Sequence, residues 1–225
     1  MALIHQFLQS PMSGPEIEAR SFAIIDGEAP DRLGFSPPQW EVVRRMIHTS
    51  GDPQLAHAVR FSAGAISAGA AALRCGAGIY VDSNMIRSGL SLVRLRRVCA
   101  DYSRERILCY VADDDVSRLA AQNGLPRSLF ALRKAKAELD GGIAVFGNAP
   151  VALLELNRLV IEEQVRPALV IAMPVGFVHV VESKQELMSL GVPFVALEGR
   201  RGGSTLAVSV VHALCTLAEE GENQP

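Results

Sequence analysis

The sequence predicts an α/β protein: a single domain with a mostly parallel central sheet of about five strands flanked by helices, preceded by an N-terminal helical segment. Two observations lead to this fold class. From about residue 77 onward, short runs rich in isoleucine, valine and tyrosine alternate with segments of helical length. Several of these runs are apolar almost throughout, as expected of strands that are covered on both faces.

The residues before the first strand are predicted to be helical. Each of three segments begins with a proline, which suits the first turn of a helix because that turn needs no amide donor. Ser62 offers a second N-cap inside the third segment. The three segments are Pro15–Glu28, Pro38–Ser50 and Pro53–Arg74.

The alternating part of the chain supplies the predicted sheet and its crossover helices. Right-handed crossovers through these helices let consecutive strands run parallel. The predicted strands are Gly78–Asp82, Ile107–Ala112, Gly142–Phe146, Ala168–Met173 and Phe194–Leu197. The predicted helices are Asp114–Asn123, Arg127–Leu139, Ala149–Gln164, Ser183–Leu190 and Ser204–Glu219.

The composition is that of one globular domain over residues 1–225, and it excludes several function classes. Hydrophobic residues make up 49% and charged residues 20%, enough to bury a core without disulfides. A net charge of −2 argues against nucleic-acid partners. No basic leader or bilayer-long apolar run is present, so we expect no membrane partner. Four cysteines without CxxC spacing favour a reducing, cytoplasmic location.

The most informative local pattern is the turn Gly199–Ser204, where two arginines stand among three glycines directly before a helix. Free backbone N–H groups and guanidinium groups at such a turn favour binding of an anion. A glycine-rich turn with two solvated arginines fits the pattern as well. It is not a phosphate loop, because no GK[ST] follows the glycines. Asn148 lies at a second such turn, where Pro150 opens the next helix.

The five histidines include no pair at metal-binding spacing, so we expect no metal site built by the protein. His48 ends an amphipathic helix and is followed by Thr49, Ser50 and Gly51. An imidazole in this place either caps the last carbonyl groups of the helix or exchanges protons with a ligand. The sequence contains neither GxSxG nor another nucleophile motif.

Eight segments, taken in order, resemble the precorrin-8X methylmutase (precorrin isomerase) family of cobalamin biosynthesis. The resemblance extends from about residue 17 to residue 217. The segments are Ala19–Ile25, Arg45–His48, Arg60–Ser62, Gly141–Pro150, Met173–Val178, Glu182–Lys184, Val192–Phe194 and Gly199–Ser204. His57 and His179 depart from the family's pattern, which leaves fine substrate contacts open.

The resemblance implies an isomerase that moves a methyl group between adjacent ring-C carbons of precorrin-8X or cobalt-precorrin-8, giving hydrogenobyrinate or cobyrinate. It implies that His48 is the catalytic acid/base and that no nicotinamide, flavin or other cofactor is needed. It also implies a homodimer with its clefts at the interface, whereas the sequence alone favours apolar N-terminal helices that cover the chain's own sheet. The candidate substrate-binding residues are Arg20, Ser21, Thr49, Asn148, Arg200, Arg201, Gly202, Gly203 and Ser204.

Two other functions stay open at this point. One is a non-catalytic relative that binds a corrinoid without turnover, and the other is a flavodoxin-like enzyme that binds a nucleotide or phosphate at Gly199–Ser204. The sequence does not decide whether the substrate is metal-free or already holds cobalt.

Overall fold

Six strands form one sheet in the computed structural model, which describes residues 2–29 and 31–221. The strands are β1 (Val59–Phe61), β2 (Ile79–Val81), β3 (Ile107–Leu108), β4 (Ile143–Phe146), β5 (Leu169–Ala172) and β6 (Phe194–Leu197). Their order across the sheet is β1-β6-β5-β4-β2-β3. Strands β2 to β6 run parallel, and β1 pairs antiparallel with β6. The predicted α/β class is confirmed, with one more strand than expected.

Helices cover both faces of this sheet. Those that pack around the helix Ser204–Glu220 lie on one face, and those between residues 114 and 189 lie on the other. In the described part of the chain no helix has the length and hydropathy needed to cross a bilayer. The helices are α1 (Leu3–Gln9), α2 (Gly14–Glu28), α3 (Pro37–Ser50), α4 (Ala65–Arg74), α5 (Asn84–Gly89), α6 (Leu92–Val98), α7 (Asp114–Asn123), α8 (Arg127–Lys134), α9 (Lys136–Leu139), α10 (Pro150–Glu162), α11 (Val180–Ser189) and α12 (Ser204–Glu220).

Alternate side chains of the central strands enter two separate cores. Val81, Val145 and Ile171 are fully buried in the core that also holds α3, α4 and α12. Phe146 and Ala172 are fully buried in the core beneath α10 and α11. Because successive residues of a strand point to opposite faces, a strand buried on both faces must be apolar throughout. This is why the strands were readable as continuous apolar runs.

The helix α3 has a defined signal at each end. At its start, Ser36 and Gln39 form a capping box, and Pro37 occupies the first turn. At its end, Gly51 adopts the left-handed conformation with φ 66° and donates its N–H to the Ile47 carbonyl at 2.8 Å. Glycine suits this position because it has no Cβ to clash there. The stop at Gly51 fixes His48 in the last turn of the helix.

The predicted helix Pro53–Arg74 is wrong. Pro53–Ala58 is a 3₁₀ segment, β1 follows it, and α4 begins only at Ala65. The Ser62 hydroxyl, expected to cap a helix, instead accepts the Phe194 N–H at 2.8 Å. Pairing with β6 at the sheet edge outweighs the local helical preference of this stretch. That pairing partner lies too far along the chain for a local pattern to reveal it.

Three shorter segments also differ from the prediction. The predicted helix Arg127–Leu139 breaks at Ala135, which has φ −80° and ψ −2°, so α8 and α9 are separate. The strand β3 ends at Leu108 rather than Ala112. The helices α1, α5 and α6 were not predicted, because six or seven residues give too little periodicity to detect.

Gly142 offers a direct test of this packing. A Cβ at this residue would lie 2.3 Å from the Glu138 carbonyl oxygen, a backbone atom that cannot rotate away. We expect Gly142→Ala to lower the free energy of unfolding by about 2–3 kcal/mol in urea denaturation. Gly27→Ala is the matched control, because a Cβ there meets nothing within 4 Å, and it should be neutral or slightly stabilising. Equal effects of the two substitutions would contradict the packing.

Candidate active site

A cleft of about 270 Å³ opens where the end of α3 meets α5 and the first half of α12. Its walls include Arg45, His48, Thr49, Ser204, Thr205 and His212. Three sequence-predicted residues, His48, Thr49 and Ser204, are therefore brought together here. Pockets that hold drug-sized ligands usually span roughly 300–1,000 Å³, so this cleft is small for a large ligand.

His48 forms the wall between this cleft and a second pocket. The second pocket has a similar volume of about 270 Å³, and Ser21, Ile24 and Gly51 help to line it. The imidazole is exposed and meets the Phe22 ring edge-on at 5.4 Å between centroids. A ligand in either pocket would thus reach the same imidazole.

The end of α3 is capped by residues other than His48. The Thr49 hydroxyl donates to the Arg45 carbonyl at 2.8 Å, and the Ser50 hydroxyl donates to the Met46 carbonyl at 3.0 Å. The Gly51 N–H satisfies the Ile47 carbonyl. Of the two roles that the sequence left open for His48, capping is therefore carried by its neighbours.

A small charged network lies beside His48. The Arg45 guanidinium is buried and contacts the Glu18 carboxylate at 2.9 Å, and Arg94 approaches the same carboxylate at 3.8 Å. Burial opposes ionisation of Glu18, but Arg45, then Arg94 and His48, hold the pKa of this carboxyl below its usual range. Glu18 is therefore an anion in a cationic surrounding.

Asp82 accepts hydrogen bonds from the backbone amide groups of the turn that follows β4. Its buried carboxylate accepts the N–H groups of Gly147 at 3.1 Å, Asn148 at 2.8 Å and Ala149 at 2.6 Å. Burial raises the pKa of Asp82, while these three amides oppose the rise. The backbone amides of this turn, which the sequence suggested as ligand contacts, are thus paired with the Asp82 carboxylate. In this turn the exposed side chain of Asn148 stays free to contact a ligand.

The turn Gly199–Ser204 is fixed by two backbone contacts and one buried lysine. Lys184 is fully buried and donates to the carbonyls of Gly199 at 2.9 Å and Arg201 at 2.8 Å. The Gly203 N–H donates to the Met173 carbonyl at 2.8 Å. A Cβ at Gly202 would lie 2.2 Å from that same oxygen, so only glycine fits. Gly202 and Gly203 therefore bring two strand-end turns together.

The predicted arginines lie at the surface and do not line the cleft. Arg201 is half-exposed and pairs with Asp52 at 2.9 Å, which ties its turn to the end of α3. The Arg200 guanidinium lies 5.3 Å from the ring centre of Phe177. Arg20 is exposed, and its guanidinium donates to the Met12 sulfur at 3.9 Å. Direct contact of these arginines with a ligand stays a prediction.

Sequence reasoning missed three residues of this site. Arg45 could have been found, because it precedes His48 by three residues and so shares its helix face. His212 gave a weaker signal as a polar residue in the apolar helix α12. Glu18 gave no signal in the sequence, since its contact with Arg45 joins two separate helices.

Comparison with known proteins gives consistent matches along the chain. The family model described as precorrin-8X methylmutase matches residues 16–217. The chain is 41% identical over 209 residues to the cobalt-precorrin-8 methylmutase of Priestia megaterium, covering 92% of this chain and 89% of that protein. It is 39% identical over 208 residues to the precorrin-8X methylmutase of Pseudomonas aeruginosa, covering 92% and 97%. The structure of precorrin-8X methylmutase from Thermus thermophilus superposes with a TM-score of 0.83 at 45% identity, covering 92% and 98%.

Asp82 provides the test of how the turns are held. In Asp82→Ala three amides at a largely buried turn lose their acceptor, so we expect a loss of about 2–4 kcal/mol in the free energy of unfolding. Asp140→Ala is the matched control, because its exposed carboxylate accepts one amide, that of Arg166 at 2.7 Å. The control should lose about 1 kcal/mol or less. Similar losses of stability in both variants would mean that Asp82 does not hold the turn.

Proposed function

The chain belongs to the precorrin-8X methylmutase family, and from that premise we propose that it moves a methyl group within a corrinoid substrate, using His48 as the acid/base group. Enzymes of this family are isomerases of cobalamin biosynthesis. The observation that carries the assignment of His48 is its place: an exposed imidazole forms the common wall of two adjacent pockets. The substrate would be precorrin-8X or its cobalt form.

In the proposed reaction His48 donates a proton to the macrocycle at ring C. Protonation withdraws electron density there and favours migration of the methyl group to the adjacent carbon. The proton then returns to the imidazole, so atoms and charge balance without any added group. An imidazole suits both steps because it exchanges protons near neutral pH.

Charged side chains lie close to His48. The positive charges of Arg45, Arg94 and His48 hold Glu18 as an anion. Arg45 and Arg94 lie in the same network and offer positive charge to a polycarboxylate ligand. The cleft thus combines a proton donor with sites for carboxylates.

We assign recognition of the substrate's carboxylates to the binding residues that the sequence predicts. Ser21 lies in the second pocket, and Thr49 and Ser204 lie in the cleft. Arg20, Asn148, Arg200 and Arg201 present exposed side chains from neighbouring turns and helices. The amides of Gly147–Ala149 and Gly203 already donate to protein acceptors, and so do the hydroxyls of Ser21 and Thr49. The exposed arginine and asparagine side chains would therefore bind the carboxylates. The pairing of the amides also weighs against the alternative of a phosphate or nucleotide site at Gly199–Ser204.

We further propose that the active form is a symmetric homodimer whose clefts are completed by the partner. A cleft of about 270 Å³ cannot enclose a whole corrinoid. Beside it, α2 exposes Ile17 and Ile24, and Ile24 is 56% exposed while lining the second pocket. The helix α1 buries none of its residues and exposes Leu3 to 82%. Apolar patches of this kind typically mark an interface.

The proposal includes both the metal-free and the cobalt-containing form of the substrate. Relatives named for the cobalt form and for the metal-free form are 41% and 39% identical, so identity favours neither. Both forms are therefore substrates to be tested.

The cysteines of the described chain are free, in keeping with the cytoplasmic location that the sequence predicts.

Replacing His48 tests the mechanism. We expect His48→Ala to lower kcat for conversion of precorrin-8X about 10²–10⁴-fold, the usual contribution of a general acid/base, while the product hydrogenobyrinate still binds. Conversion is followed by absorbance and binding by calorimetry. His57→Ala removes an exposed imidazole outside both pockets and should leave both quantities unchanged. Near wild-type turnover by His48→Ala, or binding without turnover by the wild type, would contradict the proposal.

The arginine turn is tested by substituting Arg200 and Arg201 together by Ala. Each lost hydrogen bond to a carboxylate is worth about 1.5–3 kcal/mol, so we expect hydrogenobyrinate to bind at least tenfold more weakly. The effect should shrink at high salt, because both side chains are exposed. Arg118→Ala, which removes an exposed charge on α7, is the control. Unchanged affinity in the double variant would leave the two arginines as solvated surface residues.

Light scattering tests the dimer. For a chain of 24.1 kDa we expect a species of about 48 kDa at micromolar concentration. Ile17→Glu combined with Ile24→Glu should shift the mass towards the monomer and lower turnover, while circular dichroism still shows a folded chain because both side chains are exposed in the single chain. A stable monomer that isomerises the substrate at the full rate would refute the shared cleft.

A further inference from the structure

His212 is a titratable group in the cleft that the proposed proton transfer does not use. It lies in α12 and forms part of the cleft wall together with Arg45 and His48. Unlike His48, it is largely enclosed by protein. The two imidazoles of one cleft thus have very different surroundings.

The contacts of His212 fix which ring nitrogen carries the proton. Its Nε2 accepts the backbone N–H of Ser91 at 3.1 Å, at the start of α6. A nitrogen that accepts a hydrogen bond is unprotonated, so in the neutral ring the proton lies on Nδ1. The ring can therefore offer the cleft an N–H donor while its other nitrogen is engaged.

Burial and the charges around His212 keep the ring neutral. Burial, together with the guanidinium groups of Arg94 and Arg45, lowers its pKa to about 4 against the opposing effect of Glu18. The same two guanidinium groups attract an anion into this part of the cleft. A carboxylate is thus the ligand group that this environment favours.

We propose that His212 is a substrate-binding residue that donates its Nδ1–H to a peripheral carboxylate of the corrinoid and so orients the macrocycle against His48. The proposal rests on the proposed function, because it requires that a corrinoid occupies the cleft. The two imidazoles then have separate roles. His48 moves a proton, whereas His212 is a fixed neutral donor that sets affinity and orientation.

Two isosteric substitutions separate this role from a purely structural one. In His212→Gln the longer side chain places an amide oxygen near the position of Nε2, so the Ser91 N–H keeps an acceptor while the Nδ1–H donor is lost. In His212→Asn the shorter side chain places an amide N–H near the position of Nδ1, so the donor is kept while Ser91 loses its acceptor. His57→Gln, at an exposed histidine outside the cleft, is the control for loss of an imidazole.

The measurements are the Kd for hydrogenobyrinate, the steady-state constants for precorrin-8X, the pH profile of kcat/KM and the melting temperature. We expect His212→Gln to raise Kd and KM about tenfold to a hundredfold, the loss of one hydrogen bond to a charged group, with a smaller change in kcat. His212→Asn should recover most of that affinity although it melts at a lower temperature. The pH profile should keep its wild-type form in both variants.

Three results would overturn the proposal. Wild-type affinity in His212→Gln together with weak binding in His212→Asn would mean that only the Ser91 contact matters. Wild-type affinity in both variants would mean that the Nδ1–H contacts no ligand. A displaced acid limb of the pH profile in His212→Gln would make His212 a proton-transfer group instead. Absence of turnover by the wild type itself would refute the proposed function, whereas the comparison of Kd values tests His212 separately.

Discussion

Two buried ionisable side chains hold together the turns at the carboxyl edge of the sheet. Asp82 accepts the amide N–H groups of residues 147–149, and Lys184 donates to the carbonyl groups of Gly199 and Arg201. A polar group in the interior is costly unless hydrogen bonds satisfy it, so each of these side chains requires its turn in one conformation. Gly147 then packs directly on the backbone of Ser204, at the start of α12. The cleft between α3 and α12 depends on this arrangement.

The same edge explains how one small cleft contains groups of different chemistry. The end of α3 presents His48 to solvent because Gly51 stops the helix there. The helix α12 brings His212 to the cleft from within the protein, beside Arg45 and Arg94. Position on the scaffold, rather than residue type, determines whether an imidazole in this cleft faces solvent or is enclosed beside cationic groups.

The sequence was most informative where the signal is local. Strands β2, β4, β5 and β6 could be predicted because burial on two faces demands runs of apolar residues. His48 could be placed at a helix end because Gly51 follows closely. Contacts between distant residues could not be predicted. Asn148 donates its amide to a carboxylate 66 residues away, and His212 accepts the amide of a residue 121 positions away. No local pattern encodes these partners, although they decide which groups are left for a ligand.

The two edges of the sheet have a consequence for how this protein meets other chains. At one edge β1 has only three residues, with the exposed Arg60 at its centre, and at the other β3 has two residues, preceded by Arg104 and Arg106. Short edge strands flanked by charge are poor templates for adding a further strand from a neighbouring molecule. The sheet therefore resists uncontrolled strand-to-strand growth, and self-association is left to the helical surfaces. A crowded population of the folded protein is protected at the edges where β-aggregation usually begins.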